Sequence, residues 1–416
     1  MKRFLLPLCG AFLALASCSD EKAPLPSLSD AVQYSGSNLK VYYCGELMPA
    51  KEVSYKPSAS DKQKGVLSCK GITDLSQLSS IGMSGIGAAP GVLPGSKELD
   101  LPISLSVSDD KYVFSGAGNT PFISEYAYNG KLQGDSCVLN IDKVQLANLD
   151  LGGSIWVPSP IKRDGLSFTS LPFRLVWELD PAAGIDIDLS QLLELVVTVP
   201  VIPVYHDTAY SSIAQLYTNA LQTVAFNENG NIFLRYYSSV GGATQLMTSV
   251  GNTLQYVIPQ SGTLLLYPNP TTIFGRWLVA QSDAGDDKDI SFTSSRADSA
   301  SSADDEVKAL LIEFLKVFLP VVLDNCANGF PFIIERSGDQ MSLYLDTPVI
   351  IEMLSQAVGV IEQNPDLMQK LLEKLGLTAE GAELAESLQQ LLPQLKSILL
   401  NTTKIQIGFN FNAYKS

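Results

Sequence analysis

Apolar residues in this chain recur with two different periods, and the change of period divides it. From Tyr34 to about Asp150 short β-like runs dominate, among them Leu39–Tyr43, Ile103–Val107, Tyr112–Ser115 and Val138–Ile141. Gly, Asp, Ser and Asn separate these runs, and Asp109-Asp110 and Asn129-Gly130 read as hairpin turns. Residues 79 to 96 form a Gly/Pro/Ser-rich loop whose glycines, Gly82, Gly85 and Gly87, do not match a phosphate-binding fingerprint. Farther on, Ile213, Leu216, Tyr217 and Leu221 fall at helical spacing after a cap at Asp207. Two hairpins follow: Val224–Phe226 with Ile232–Tyr237 through Asn229-Gly230, and Leu254–Ile258 with Thr263–Tyr267 around Ser261-Gly262.

The last quarter is strongly helical. Val307, Leu310, Leu311, Phe314 and Phe318 share one helical face. Thr347-Pro348 opens a helix with Ile351, Leu354 and Val358, and Asn364-Pro365 repeats the signal before Leu367, Leu371 and Leu375. Leu384, Leu388, Leu391, Leu395 and Leu399 predict a longer amphipathic helix. Ile405, Ile407, Phe409 and Phe411 then alternate with polar residues, a terminal strand with one buried face. The expected class is α+β. A β-rich N-terminal domain over 34–196, barrel-like or a long curved sheet, precedes a C-terminal domain over 197–416 of β-hairpins packed with amphipathic helices. The second contains an exposed acidic, Ser-rich loop over 282–306. Proline opens three similar apolar strands, at Leu101-Pro102, Leu171-Pro172 and Phe330-Pro331. With second strands at Tyr112–Phe114, Ile185–Ile187 and Leu343–Leu345, they suggest either duplicated hairpins or coincidence.

Composition narrows the function. With 416 residues, 46% apolar and 17% charged, the chain has ample material for a folded core, which excludes overall disorder. A net charge of −15 argues against nucleic acid as partner, and a single histidine, His206, excludes multi-histidine metal sites. Nothing in the sequence calls for a cofactor.

The start of the chain carries an address. Lys2 and Arg3 precede an apolar run, Phe4 to Ala16, too short to span a bilayer and typical of a secretory signal. Leu15-Ala16-Ser17-Cys18 resembles the lipobox of bacterial lipoproteins; the competing reading is an ordinary signal peptide with an incidental cysteine. The resemblance implies a signal peptide over 1–17, acylation of Cys18 with palmitate-like chains, and a lipidated flexible tether over 18–33. Ser19-Asp20-Glu21-Lys22 is similar to the acidic export tag of Bacteroidota surface lipoproteins. Runs such as Leu221–Ile232 and Ser342–Thr347 look like uncharacterised Bacteroidota lipoproteins with calycin-like β-domains. The implied location is the outer membrane, held by the lipid anchor and exposed at the cell surface. The likeness transfers no catalytic residue.

Candidate chemistry is sparse. Cys44 and Cys69 each end a strand-like run and are a candidate disulfide pair, although spacing does not fix the pairing, and no C-x-x-C motif occurs. His206 beside Asp207 lacks a nucleophile elbow and reads as a capping or surface residue. Asp186 with Asp188, and the Asp283, Asp286, Asp287 and Asp289 run, fall short of a calcium loop. Among the tryptophans, Trp177 reads as core, while Trp156, beside Val157-Pro158, is the best exposed candidate for stacking on a sugar. Thr208 in Asp207-Thr208-Ala209 and Ser299 in Asp298-Ser299-Ala300 resemble the O-glycosylation sequon of these bacteria. The leading expectation is a non-enzymatic module binding a glycan or another nutrient. A lipid or apolar-ligand carrier resembling the tubular fold of bactericidal/permeability-increasing proteins comes second, and a hydrolase third.

Overall fold

The structure, a computed structural model, describes residues 30–74, 86–204, 209–273, 322–363 and 386–415, apart from 62, 166, 186, 201, 241, 242, 387 and 388. Its first strands are β1 (Val32–Ser35), β2 (Leu39–Tyr43), β3 (Glu46–Leu47), β4 (Lys51–Pro57), β5 (Lys64–Asp74) and β6 (Ile86–Ala88). They are followed by β7 (Glu98–Ser104), β8 (Ser106–Ser108), β9 (Lys111–Gly118), β10 (Ile123–Gln133) and β11 (Ser136–Leu146). One sheet has the order β1-β4-β5-β6, with β7 also paired to β5; the other runs β3-β2-β11-β10-β9-β8. All pairs are antiparallel except β2 with β11. Period-two alternation directs Tyr34, Val53, Tyr55, Leu67 and Cys69 of the first sheet, and Val41, Tyr126, Leu132, Leu139 and Ile141 of the second, into one buried cluster. The sheets therefore face each other, and Tyr128 Oη reaches across to the Pro102 carbonyl.

After β11 the chain builds a third sheet. Its elements are β12 (Ser154–Pro158), β13 (Lys162–Asp164), β14 (Ser167–Ser170), β15 (Phe173–Leu179), α1 (Leu189–Thr198), β16 (Ile202–Val204), β17 (Ala209–Ser211) and α2 (Ile213–Ala220). Next are β18 (Leu221–Phe226), β19 (Ile232–Val240), β20 (Ala243–Thr248), β21 (Leu254–Gln260) and β22 (Thr263–Pro268). The last are β23 (Phe330–Ser337), β24 (Gln340–Leu345), α3 (Thr347–Gln363), α4 (Leu395–Leu400) and β25 (Thr402–Ala413). The order is β20-β19-β18-β12-β25-β24-β23-β22-β21, with β15 also on β25. Helix α1 packs on β15, α3 on β25, and α2 on β18 and β19. Trp156, Phe226, Tyr256 and Phe411 join the same buried cluster as the first two sheets, so the core is continuous. The turn between β18 and β19 ties the sheets together: Tyr43 Oη donates to the Asn229 carbonyl at 2.6 Å and Leu146 N to the Glu228 carbonyl at 2.9 Å.

The fold is β-rich and of the α+β class, with several sheets, none of which closes into a barrel among the described residues. Strands β12 and β15 precede residue 196 in the chain yet hydrogen-bond into the third sheet. The hairpin turns expected at Asp109-Asp110, Asn229-Gly230 and Ser261-Gly262 are present. That at Asn129-Gly130 is not. Both residues lie inside β10, where a Cβ on Gly130 would meet the Phe114 ring at 2.5 Å and the Val138 carbonyl oxygen at 2.2 Å. Glycine here serves close packing rather than a turn. Of the three proline-led hairpins only β23–β24 forms; β7 pairs with β5, and residues 185 and 187 lie outside any strand. The predicted Leu384–Leu399 helix is interrupted, with a 3₁₀ turn at Leu392–Gln394 before α4, because Pro393 has no N–H to donate.

Candidate functional site

The outer face of the second sheet carries an ordered polar array. In β10 the inward residues Tyr126, Tyr128 and Leu132 are buried, so Asn129, Lys131 and Gln133 point outward. Register then sets the neighbours: Asn129 lies opposite Asn140 and Ser115, Lys131 opposite Val138 and Val113, and Ala127 opposite Asp142. On the far side of β11, Tyr42 aligns with Asn140 and Lys40 with Val138. Asn140 Nδ2 donates to Asn129 Oδ1 at 2.9 Å, and Asn129 Nδ2 donates to Asp142 Oδ2 at 3.5 Å. The result is a ladder of two amides and a carboxylate beside a shallow depression of about 320 Å³, bordered by Val113, Lys131, Val138 and Gly130.

Such a ladder offers fixed planar donors and acceptors with one remaining amide oxygen, one further carboxylate oxygen and a flanking ammonium. These suit hydroxyl groups, which both donate and accept, while the two valines offer apolar contact to C–H faces. The ladder holds no nucleophile and base pair. The sequence signal was the period-two polar row 129, 131, 133 facing 140 and 142; reading Asn129-Gly130 as a turn hid it.

Trp156 is placed otherwise than its sequence context suggested. Strand β12 is paired on both sides, to β18 and β25, and the ring keeps only 7% of its surface. Its Nε1 donates to Ser154 Oγ at 2.8 Å, and the Arg336 guanidinium lies over the ring at 5.6 Å. Arg336 Nη2 in turn donates to the Asp150 carbonyl at 2.8 Å, beside a cleft of about 180 Å³ shared with Ser261, Gly262 and Ile334. A covered indole is no stacking platform. Trp177 is half-buried against a small cluster of Leu189, Leu391 and Ile398, with Nε1 donating to Thr402 Oγ1 at 2.9 Å.

Cys44 and Cys69 do not meet as a disulfide; both are free thiols, as are Cys137 and Cys326. Cys44 takes a left-handed conformation (φ 51°) at the end of β2, whereas Cys69 points inward from β5 of the opposite sheet. Burial pushes both thiols above their ordinary range. Asp188 caps α1, accepting from Gln191 N at 2.9 Å. Cys18, Thr208, Ser299, His206, Asp186, Trp277, the 283–289 acidic run and the 282–306 loop lie outside the described residues. Among the described residues no cluster of three or more His, Cys, Asp or Glu is arranged for a metal, and no helix is long and apolar enough to cross a membrane.

Lys51, missed in sequence, is chemically unusual. It keeps 4% of its surface, and its Nζ donates to the Pro90 carbonyl at 2.6 Å. Burial alone pushes its pKa down to about 7. Its neighbour Glu52, on the opposite face of the strand, has instead a cation, Lys70 Nζ at 2.6 Å. An isolated lysine in a β-run gives no periodic signal of burial.

Comparison with family models, curated proteins and solved structures returned no match.

Proposed function

We propose that this chain is a lipid-anchored protein of the bacterial outer membrane that displays its fold at the cell surface and binds a glycan or a similar polyhydroxylated nutrient without transforming it. The address rests on Leu15-Ala16-Ser17-Cys18 and the acidic segment behind it. The Asp142–Asn129–Asn140 ladder beside Lys131 carries the binding reading, because it fixes hydrogen-bonding groups on an open sheet face. Because the depression is open and Asn129, Asn140 and Lys131 stand among its lining residues, it favours a hydroxylated ligand with apolar C–H faces over an enclosed acyl chain.

Glycan-array binding, using protein without residues 1–18, tests the reading. We expect a set of saccharides to bind wild type and to lose tenfold or more in affinity with Asn129→Ala/Asn140→Ala, since each lost hydrogen bond contributes about 1 kcal/mol. Unchanged binding by the double variant overturns the assignment of the face; an array with no binding overturns the ligand class. The anchor is tested separately: fatty-acid label should be incorporated by the native chain and absent from Cys18→Ala.

A further inference from the structure

Strand β20 ends the third sheet and, among the described residues, pairs only with β19. Thr244 through Thr248 are all exposed, with Leu246 at 45% and Met247 at 37%, and Tyr237 opposite Leu246 at 43%. The segment Ala243–Thr248 contains no charge and no proline. Exposed edges are ordinarily defended by charge, proline, shortness or a cover. The opposite end of the same sheet shows such defences: β21 contains Pro259, Asn231 bridges to Gln255, and Tyr256 N donates to the Gly230 carbonyl at 2.8 Å. In the second sheet the end strands β3 and β8 have two and three residues. Among the described end strands of the second and third sheets, an undefended six-residue edge is therefore the exception.

We propose that β20 is a homodimer contact, pairing antiparallel with β20 of a second copy about a two-fold axis at Leu246. Cross-strand partners share a face, so the axis generates a continuous row of Tyr237, Leu246, and then Leu246 and Tyr237 of the second copy. The neighbouring row joins Arg235 and Thr248 to Thr244 and Ser239 of the second copy. Charge selects a copy as the occupant. The chain as a whole is −15, yet these rows carry a single charge, Arg235, and the axis sets it about 20 Å from its mate. That separation is well beyond the Debye length of about 8 Å at physiological salt, so no like charges oppose pairing at the seam. A six-residue strand is about 20 Å long and covers less than the roughly 800 Å² per partner of a standard interface. The dimer is accordingly weak in dilute solution. Co-anchoring in one membrane, on the reading proposed above, raises the effective concentration and favours it.

Cysteine cross-linking of the full chain tests this directly. Across the axis the two Leu246 Cβ atoms come within about 5 Å, so Leu246→Cys should give a reductant-sensitive dimer under mild oxidation with oxidised glutathione. Wild type, and Val107→Cys at a 65% exposed position on β8, should form no covalent dimer under the same oxidation. Cross-linking of Leu246→Cys no greater than that of Val107→Cys overturns the proposal. Leu246→Lys, at a site that needs no burial to fold, should weaken concentration-dependent dimerisation in sedimentation by tenfold or more; an unchanged dimer also overturns it. Asn129→Ala/Asn140→Ala should dimerise like wild type, so failure of the ligand reading is distinguishable from failure of the contact.

Discussion

The inner row of β11, Cys137, Leu139 and Ile141, keeps 1% or less of its surface, whereas α1, LSQLLELVVT, is equally apolar but leaves Leu195 40% exposed and fully buries only Leu189. In β11 the period of the apolar residues equals the period of the strand, so the inner face collects all of them but Val138 and meets the facing sheet. In α1 the apolar residues fill an arc of about 200°, with Ser190, Gln191, Glu194 and Thr198 grouped opposite. A single sheet beneath the helix can cover only part of so broad a face, which leaves Leu195 at its margin exposed. Equal hydrophobicity thus yields unequal burial, and stability is expected to concentrate in the facing sheets.

The largest expected effect breaks or sharpens that contrast. Leu139 is 0% exposed, and Leu139→Ala removes three buried carbons and leaves a cavity in a close-packed layer. We expect a loss of about 3–4 kcal/mol, measured as a shift of the urea midpoint at unchanged slope. A loss below about 1 kcal/mol would show that the facing sheets relax as readily as the helical layer.

The next effect depends on pH. In the unfolded chain Lys51 titrates near 10.5 and in the fold near 7, so between these values the unfolded state binds more protons and stability rises with pH. Below pH 7 both states are charged and the cost of burying the ammonium is fully present; it is relieved progressively above pH 7. Raised thiols at Cys69, Cys137 and Cys326 act in the opposite direction above about pH 9, where they ionise only when unfolded. Lys51→Met keeps the buried stem and removes the amine. It should stabilise the protein by about 2 kcal/mol at pH 6, allowing for the lost Pro90 contact, and by much less at pH 9. Denaturant titrations of both proteins across pH 6–9 check the difference; parallel curves would mean that water already reaches the amine.

Much of this arrangement was legible in the sequence, for identifiable reasons. The terminal alternation from Ile405 to Phe411 correctly implied β25, because a strand's period is local. Its central place was hidden, since pairing with β12, β15 and β24 depends on residues up to 257 positions away. Its second face was hidden for the same reason: Gln406 is buried because Arg174 of β15 donates to its Oε1 at 2.9 Å. The helix before β18 was anticipated, but its cap is Ser212, whose hydroxyl accepts from Gln215 N at 3.2 Å while Gln215 Oε1 accepts from Ser212 N at 3.0 Å. For the candidate site, the residue types were visible, but their common face followed only once β10 ran straight through Gly130.

That capping box supplies an effect of intermediate size. Ser212→Ala leaves the Gln215 N–H without its acceptor at the start of an eight-residue helix and should cost about 1 kcal/mol by chemical denaturation. Ser212→Asp should recover most of it, because a carboxylate accepts the same bond and favours the helix N-terminus. Failure of the aspartate to recover stability would assign the loss to the packing of this 2% exposed residue rather than to its cap.

The smallest effect is the counterpart of the first. Leu195→Ala removes the same carbons as Leu139→Ala, but from a side chain already 40% in water. Alanine also has the higher helix propensity, by a few tenths of a kcal/mol, which offsets part of the lost contact. The net change should be within about 0.5 kcal/mol of zero. Measured beside Leu139→Ala in the same urea series, the ratio of the two losses reports how unevenly burial is distributed between the sheet and helical layers. A Leu195→Ala loss above about 2 kcal/mol would mean that the half-covered face of α1 closes in solution, and the contrast between the two regions would disappear.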